Sequence, residues 1–126
     1  MADRRPDDPR PLRSSERDAL LAVLEAADFD GRDALVAQVE SARVVARCPC
    51  GCATVDLAVD ADAPVAPGDA SIVPNGAAVL GADGDEIGGV LVLLEGGRLA
   101  TLEIYSYGDP IPAFPPAARL RPAAPQ

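Results

Sequence analysis

The segment from Glu86 to Tyr107 constrains this chain more than any other. It holds the run Val90-Leu91-Val92-Leu93-Leu94, the corner Glu95-Gly96-Gly97-Arg98, and then Leu99-Ala100-Thr101-Leu102-Glu103-Ile104-Tyr105. A short apolar run on both faces, bounded by glycine, reads as an interior strand covered on one side by helices. Two such runs joined by a Gly-Gly corner read as a hairpin. Opposite charges at the corner set the predicted register: Glu95 faces Arg98, Leu94 faces Leu99, Leu91 faces Leu102 and Val90 faces Glu103. That register places Leu91, Leu93, Leu102 and Ile104 on one face of the sheet. Val90, Val92, Leu99, Glu103, Tyr105 and Tyr107 fall on the other.

The remaining pattern builds around this hairpin. Ala77 to Gly81 and Glu86 to Leu94 flank Asp83-Gly84, which suits a tight turn. Period-two alternation marks Arg43 to Cys48, with Val44 and Ala46 inward, and Ala53 to Asp60, with Val55, Leu57 and Val59 inward. These two strands form a hairpin around Pro49-Cys50-Gly51. Residues 61–75 read as a loop with an extended piece at Ile72-Val73. Upstream the period is that of a helix. Ser15 to Asp18 resembles a capping box, and Leu20, Leu21, Val23, Leu24 and Ala27 give one packed face. Asp30-Gly31-Arg32-Asp33 starts a second helix that carries Leu35, Val36 and Val39 and ends near Ser41. The predicted fold class is α+β: two short N-terminal helices on an antiparallel meander sheet of about four to five strands, with a proline-rich tail. Three segments are expected: a disordered arm over 1–13, one domain over 14–109, and a tail over 110–126 anchored by Phe114.

At 126 residues the chain suffices for one modest core without disulfides. A net charge of −9, with a stretch between Arg47 and Arg98 that has eight acids and no basic residue, opposes binding to phosphate backbones, so no nucleic-acid partner is expected. The bland reading of this acidity is a solvated surface; a basic protein partner or divalent cations would also suit it. No apolar run approaches the roughly 20 residues of a membrane helix, and no secretory h-region precedes the first helix, so a cytoplasmic setting is expected. The absence of Lys beside abundant Ala, Arg, Pro and Gly suggests a GC-rich bacterial genome.

Cys48-Pro49-Cys50-Gly51-Cys52 is the constellation that composition does not predict. Structural zinc takes four ligands with Zn–S about 2.3 Å, and this chain offers three Cys and no His. Asp56 as a fourth ligand, or thiolates pooled across a dimer, would complete a site. In extended chain, alternate side chains stand about 6.5 to 7 Å apart, too wide for one ion, so Pro49 and Gly51 must bend the backbone first. Three readings of Cys48, Cys50 and Cys52 stay open: reduced structural thiols, a metal site with zinc as cofactor, or a redox dithiol such as Cys48 with Cys52. Asp83-Gly84-Asp85-Glu86 fails the calcium-loop pattern, because Ile87 stands at the fifth position, and reads as a plain turn. Glu103, Tyr105 and Tyr107 share a face that a helix or the tail is expected to cover, with a small recognition surface as the alternative. There is no His for acid–base work near neutral pH and no Gly-x-Ser-x-Gly, P-loop or dinucleotide fingerprint, so no catalytic centre is expected.

From Ser15 to Tyr107 the order of features is Ala-Asp-Phe ending a helix, Arg-Val-Val before Cys-Pro-Cys-Gly-Cys, Thr-Val-Asp-Leu after it, then Gly-Arg-Leu and Leu-Glu-Ile-Tyr. This order resembles a family of small bacterial proteins with a C-x-C-G-C hairpin motif and no known activity. The Cys-Pro-Cys-Gly start is also similar to the zinc-binding SEC-C motif. Cys52 stands where that motif has Ser, and its downstream basic residues and final Cys or His pair are missing, so zinc is not carried over. The leading expectation is a non-catalytic interaction domain, either regulatory or of the small acidic immunity type, with an unidentified protein partner. The alternative is a metal-binding or thiol-redox protein that uses the cysteine cluster.

Overall fold

A computed structural model describes residues 5–122. It is α+β, with two helices and one seven-stranded antiparallel sheet. In chain order the elements are β1 (Arg5–Pro11), α1 (Ser14–Ala26), α2 (Arg32–Gln38) with a 3-10 turn at Val39–Ser41, β2 (Arg43–Arg47) and β3 (Val55–Ala58). They continue with β4 (Ala77–Leu80), β5 (Glu86–Glu95), β6 (Arg98–Ser106), a second 3-10 turn at Ala117–Arg119, and β7 (Leu120–Pro122). Strand order across the sheet is β1-β2-β3-β6-β5-β4-β7.

The expectation of four to five strands is corrected by the two edges. Arg5–Pro11, read from sequence as part of a disordered arm, pairs with β2, and Leu120–Pro122, read as part of a tail without ladder, pairs with β4. Proline lacks the N–H that an interior ladder needs, but an edge strand has one unpaired side and tolerates it. The proline content of both segments therefore marks sheet borders rather than the absence of a sheet. The arm's first four residues and the tail's last four lie outside the described residues.

The central hairpin folds back at the predicted corner, with Glu95 opposite Arg98 and Leu94 opposite Leu99. Beyond it the register departs from expectation. Leu93 pairs with Thr101, so Ala100 is an extra residue on β6, and from there Val92 faces Leu102, Leu91 faces Glu103 and Val90 faces Ile104. A bulge of one residue exchanges the faces of everything past it. Val90, Val92, Leu102 and Ile104 consequently share the buried side, while Leu91 and Leu93 are only half-buried on the other.

Helix α1 buries Ala19, Leu20, Val23 and Leu24, a stripe at helical spacing that Ala27 extends just past its end, and packs over β5 and β7; α2 packs over β6. Full burial of a side chain such as Leu20, Leu24 or Leu102 contributes about 1.5–3 kcal/mol each. The cap of α1 differs from the predicted one. Arg13 is the N-cap, and the Glu16 carboxylate accepts its N–H at 2.8 Å. Glu16 is also gripped by Arg10 of β1, whose two terminal nitrogens donate to its two oxygens at 2.9 Å each. Burial pushes the Glu16 carboxyl up, but the bonds from Arg10 and Arg13 outweigh it and leave it below its usual value. This pair clamps the edge strand onto the helix. Among the described residues no helix is long and apolar enough to cross a membrane.

Candidate metal centre

The cysteines occupy the turn between β2 and β3. The Cys48 N–H donates to the Thr54 carbonyl at 3.1 Å, which closes the loop at its base. Ala53 N–H donates to Ile111 O at 2.9 Å, which ties the loop to the proline-rich segment after β6. Thr54 is buried; its hydroxyl accepts from Ile104 N–H at 3.0 Å and donates to Ile104 O at 3.2 Å, so a side chain prolongs the β3–β6 ladder. Within this frame Gly51 takes φ of +96°, a left-handed conformation that lets the chain reverse between the second and third thiol.

That reversal removes the spacing objection. Cys48 Sγ lies 2.9 Å from Cys50 Sγ, Cys50 Sγ lies 2.8 Å from Cys52 Sγ, and all three sulfurs fall within 4.8 Å of one another. Three thiolates arranged tetrahedrally about zinc stand about 3.8 Å apart if Zn–S is about 2.3 Å. The sulfurs already share a space of that size and need to part by only about 1 Å, so the donor set fits one thiophilic ion. Cys48 and Cys52 are half-buried and Cys50 is exposed, which leaves a path for entry. Hydrogen bonds with Cys48 and then Cys52 push the Cys50 thiol up to about 11. Burial pushes Cys52 up, but bonds from Cys50 and from Thr54 outweigh it, so its net shift is downward. Cys52 thereby forms its thiolate before Cys50 does.

Two other acidic candidates are not drawn in. Asp56 Oδ1 accepts from the Thr101 hydroxyl at 3.0 Å on the neighbouring strand and does not join the sulfurs. Asp83 Oδ1 accepts from Asp85 N–H at 3.1 Å, and Gly84 N–H donates to Gly81 O at 3.0 Å, which is the plain turn expected. Tyr105 and Tyr107 are exposed at 41% and 64%, so among the described residues neither the helices nor the tail covers them. Their rings sit 5.9 Å apart, and Tyr107 donates to Glu86 at 2.6 Å, a bond that pushes its phenol up to about 12.

Sequence reasoning did not foresee what surrounds the thiols. A cavity of about 580 Å³ opens beside them, bordered by Cys48 and Cys52, by Arg10, Arg13 and Arg47, and by Glu16. Arg10 and Arg13 come from the segment read as disordered, and Arg47 from the end of β2. Compared with known protein families, curated proteins and solved structures, the chain matches none of them.

Proposed function

We propose that the protein binds a thiophilic metal ion, zinc being the first candidate, through Cys48, Cys50 and Cys52. The observation that carries this reading is the convergence of three sulfurs within 4.8 Å on a loop pinned at both ends. Two sulfur–sulfur contacts under 3 Å put all three donors within reach of one ion, an arrangement that a purely packing role for the cysteines does not require. The core is built from aliphatic side chains on the sheet and helices, so the ion is bound by a fold that stands without it. The chemistry supplied by zinc is that of a Lewis acid with an exchangeable position, because the chain contributes three ligands rather than four.

Elemental analysis of protein purified under reducing conditions, combined with thiol titration, tests the reading. About one zinc per chain, with thiols that react only after chelation, is the expected result. Metal-free protein with three freely titrating thiols overturns it, and a mass lower by two hydrogens under non-reducing conditions replaces it with the Cys48–Cys52 disulfide. Each single Cys→Ser variant is expected to fold and to lose the ion.

A second reading, a non-catalytic interaction or regulatory domain of the small acidic type, is favoured by the exposed pair Tyr105 and Tyr107 beside exposed Ile87. Loss of a complex, isolated from the native host, on Tyr105→Ala and Tyr107→Ala tests it; retention of that complex rejects it.

A further inference from the structure

Resting on the reading of the three cysteines as a metal site, we infer that the site is redox-gated: a peroxide joins Cys50 to Cys52 as a disulfide, and the ion leaves. Three features of the structure carry this reading.

The first is the position of Cys50. Its sulfur stands between the other two, 2.9 Å from Cys48 Sγ and 2.8 Å from Cys52 Sγ, and it is exposed where its neighbours are half-buried. The thiol that a dissolved oxidant meets first therefore has a second thiol already in contact. That arrangement captures a sulfenic acid as a disulfide before it is oxidised further. The second is the backbone between the pairs. Pro49 lies between Cys48 and Cys50, and its ring fixes φ, whereas Gly51 lies between Cys50 and Cys52 and already takes φ of +96°. Among the described residues nothing stands within 4 Å of the place a Gly51 Cβ would occupy, so the chain has room to turn there. The Cys52 N–H also donates to Cys50 Sγ at 3.4 Å. Closure thus selects Cys50–Cys52 over Cys48–Cys50.

The third feature is the donor count. The chain has three Cys and no His, so one disulfide leaves a single thiolate, too few to hold zinc against water. Zinc has no redox chemistry of its own, and the sulfurs supply both electrons. The Cys50 thiolate attacks one oxygen of the peroxide; a sulfur–oxygen bond forms, the oxygen–oxygen bond breaks and hydroxide leaves. The Cys52 thiolate then attacks the Cys50 sulfur; the disulfide forms, the sulfur–oxygen bond breaks and a second hydroxide leaves. Both hydroxides take protons from solvent to become water, and Zn²⁺ departs unchanged. The ties at the loop's base, Cys48 N–H to Thr54 O and Ala53 N–H to Ile111 O, involve no sulfur, so the change is confined to the loop and a dithiol reverses it.

The test uses the full chain, reduced, loaded with zinc, freed of reductant and treated with equimolar hydrogen peroxide beside a chromogenic zinc indicator. Loss of about one zinc per chain is expected, with a mass lower by two hydrogens that appears only after peroxide. Mass-spectrometric mapping is expected to find Cys50 linked to Cys52 and alkylation confined to Cys48, with zinc binding restored by dithiothreitol. Cys48→Ser lacks the three-sulfur site and is expected to form the same disulfide, so the linkage is read independently of the ion. Zinc retained after peroxide, a linkage through Cys48, a Cys48→Ser variant that forms no disulfide, or release as sulfinate that dithiothreitol does not reverse overturns the proposal while the metal site stands. Reduced protein that holds no zinc removes the metal reading and this inference with it.

Discussion

Replacing Gln38 by leucine tests the packing logic of the fold at its most buried polar group. Gln38 ends α2 and has no solvent exposure. Its Nε2 donates to the carbonyls of Pro64 at 2.6 Å and Gly97 at 3.0 Å, and its Oε1 accepts from Leu99 N–H at 2.9 Å. One side chain therefore satisfies the backbone of the β5–β6 corner and of the 61–75 loop together. Gln38→Leu keeps the volume and deletes all three bonds. Pro64 is exposed, so its carbonyl returns to water, and Gly97 O keeps the bond from Ala66 N–H at 3.0 Å, but the buried Leu99 N–H is left unpaired. That orphaned donor costs about 1–3 kcal/mol, the lost second bond at Gly97 O about 0.5–1.5 kcal/mol, and the added apolar burial returns about 1 kcal/mol, for a net loss of about 0.5–3.5 kcal/mol. For a domain whose total stability is on the order of 5–15 kcal/mol and whose urea slope is about 2 kcal/mol/M, that lowers the urea midpoint by about 0.3–1.7 M at unchanged slope. Gln38→Glu is the companion variant. Its ionised carboxylate faces two carbonyls, so it is expected to be at least as unstable near neutral pH, and to recover as pH falls toward about 4, where the protonated form donates a bond. A Gln38→Leu midpoint within about 0.3 M of the parent refutes the claim that this side chain holds the corner.

Two further outcomes follow from the described contacts, beside those for the metal and its release. The depressed carboxyl of Glu16 gives stability that is present above the unfolded value of about 4.3 and lost as pH falls through the lower folded value. Glu16→Gln is therefore expected to be less stable than the parent by about 1–2 kcal/mol at pH 7, with the two urea curves converging below about pH 4; identical curves at pH 7 reject the clamp. The Tyr105 ring lies over Gly89 so closely that a Cβ there would strike it. Gly89→Ala is expected to cost about 1–3 kcal/mol and to cost much less in a Tyr105→Ala background, and a double-mutant cycle without coupling rejects that contact.

How much of the fold is legible depends on whether the signal is local. The corners at Asp83-Gly84 and Gly96-Gly97 were readable because the glycines and the flanking Glu95 and Arg98 sit within a few residues of each other. The register beyond the second corner was not, because the bulge at Ala100 is chosen by how β6 must curve to place Leu102 and Ile104 against the helices. Nothing in Leu99-Ala100-Thr101 announces it. Ser15 looked like a cap because its residue type fits, yet the bond that forms is made by Glu16, which also answers to Arg10 on a strand that had not been expected. Gln38 gave no signal, since a polar residue at a helix end normally faces water.

The site divides along the same line. The three thiols were visible as a cluster, and the argument against a shared ion assumed extended chain; the left-handed Gly51 answers it, as Pro49 and Gly51 allowed. The cationic wall was invisible, because Arg10 and Arg13 lie in a segment whose prolines hid an edge strand. One blind spot thus concealed both the sheet's border and two of the three arginines that line the cavity beside the cysteines. It follows that the cavity is as well formed as the docking of β1. That docking depends on Arg10 holding Glu16, so the residue that neutralises part of the wall is also the residue that keeps the wall in place.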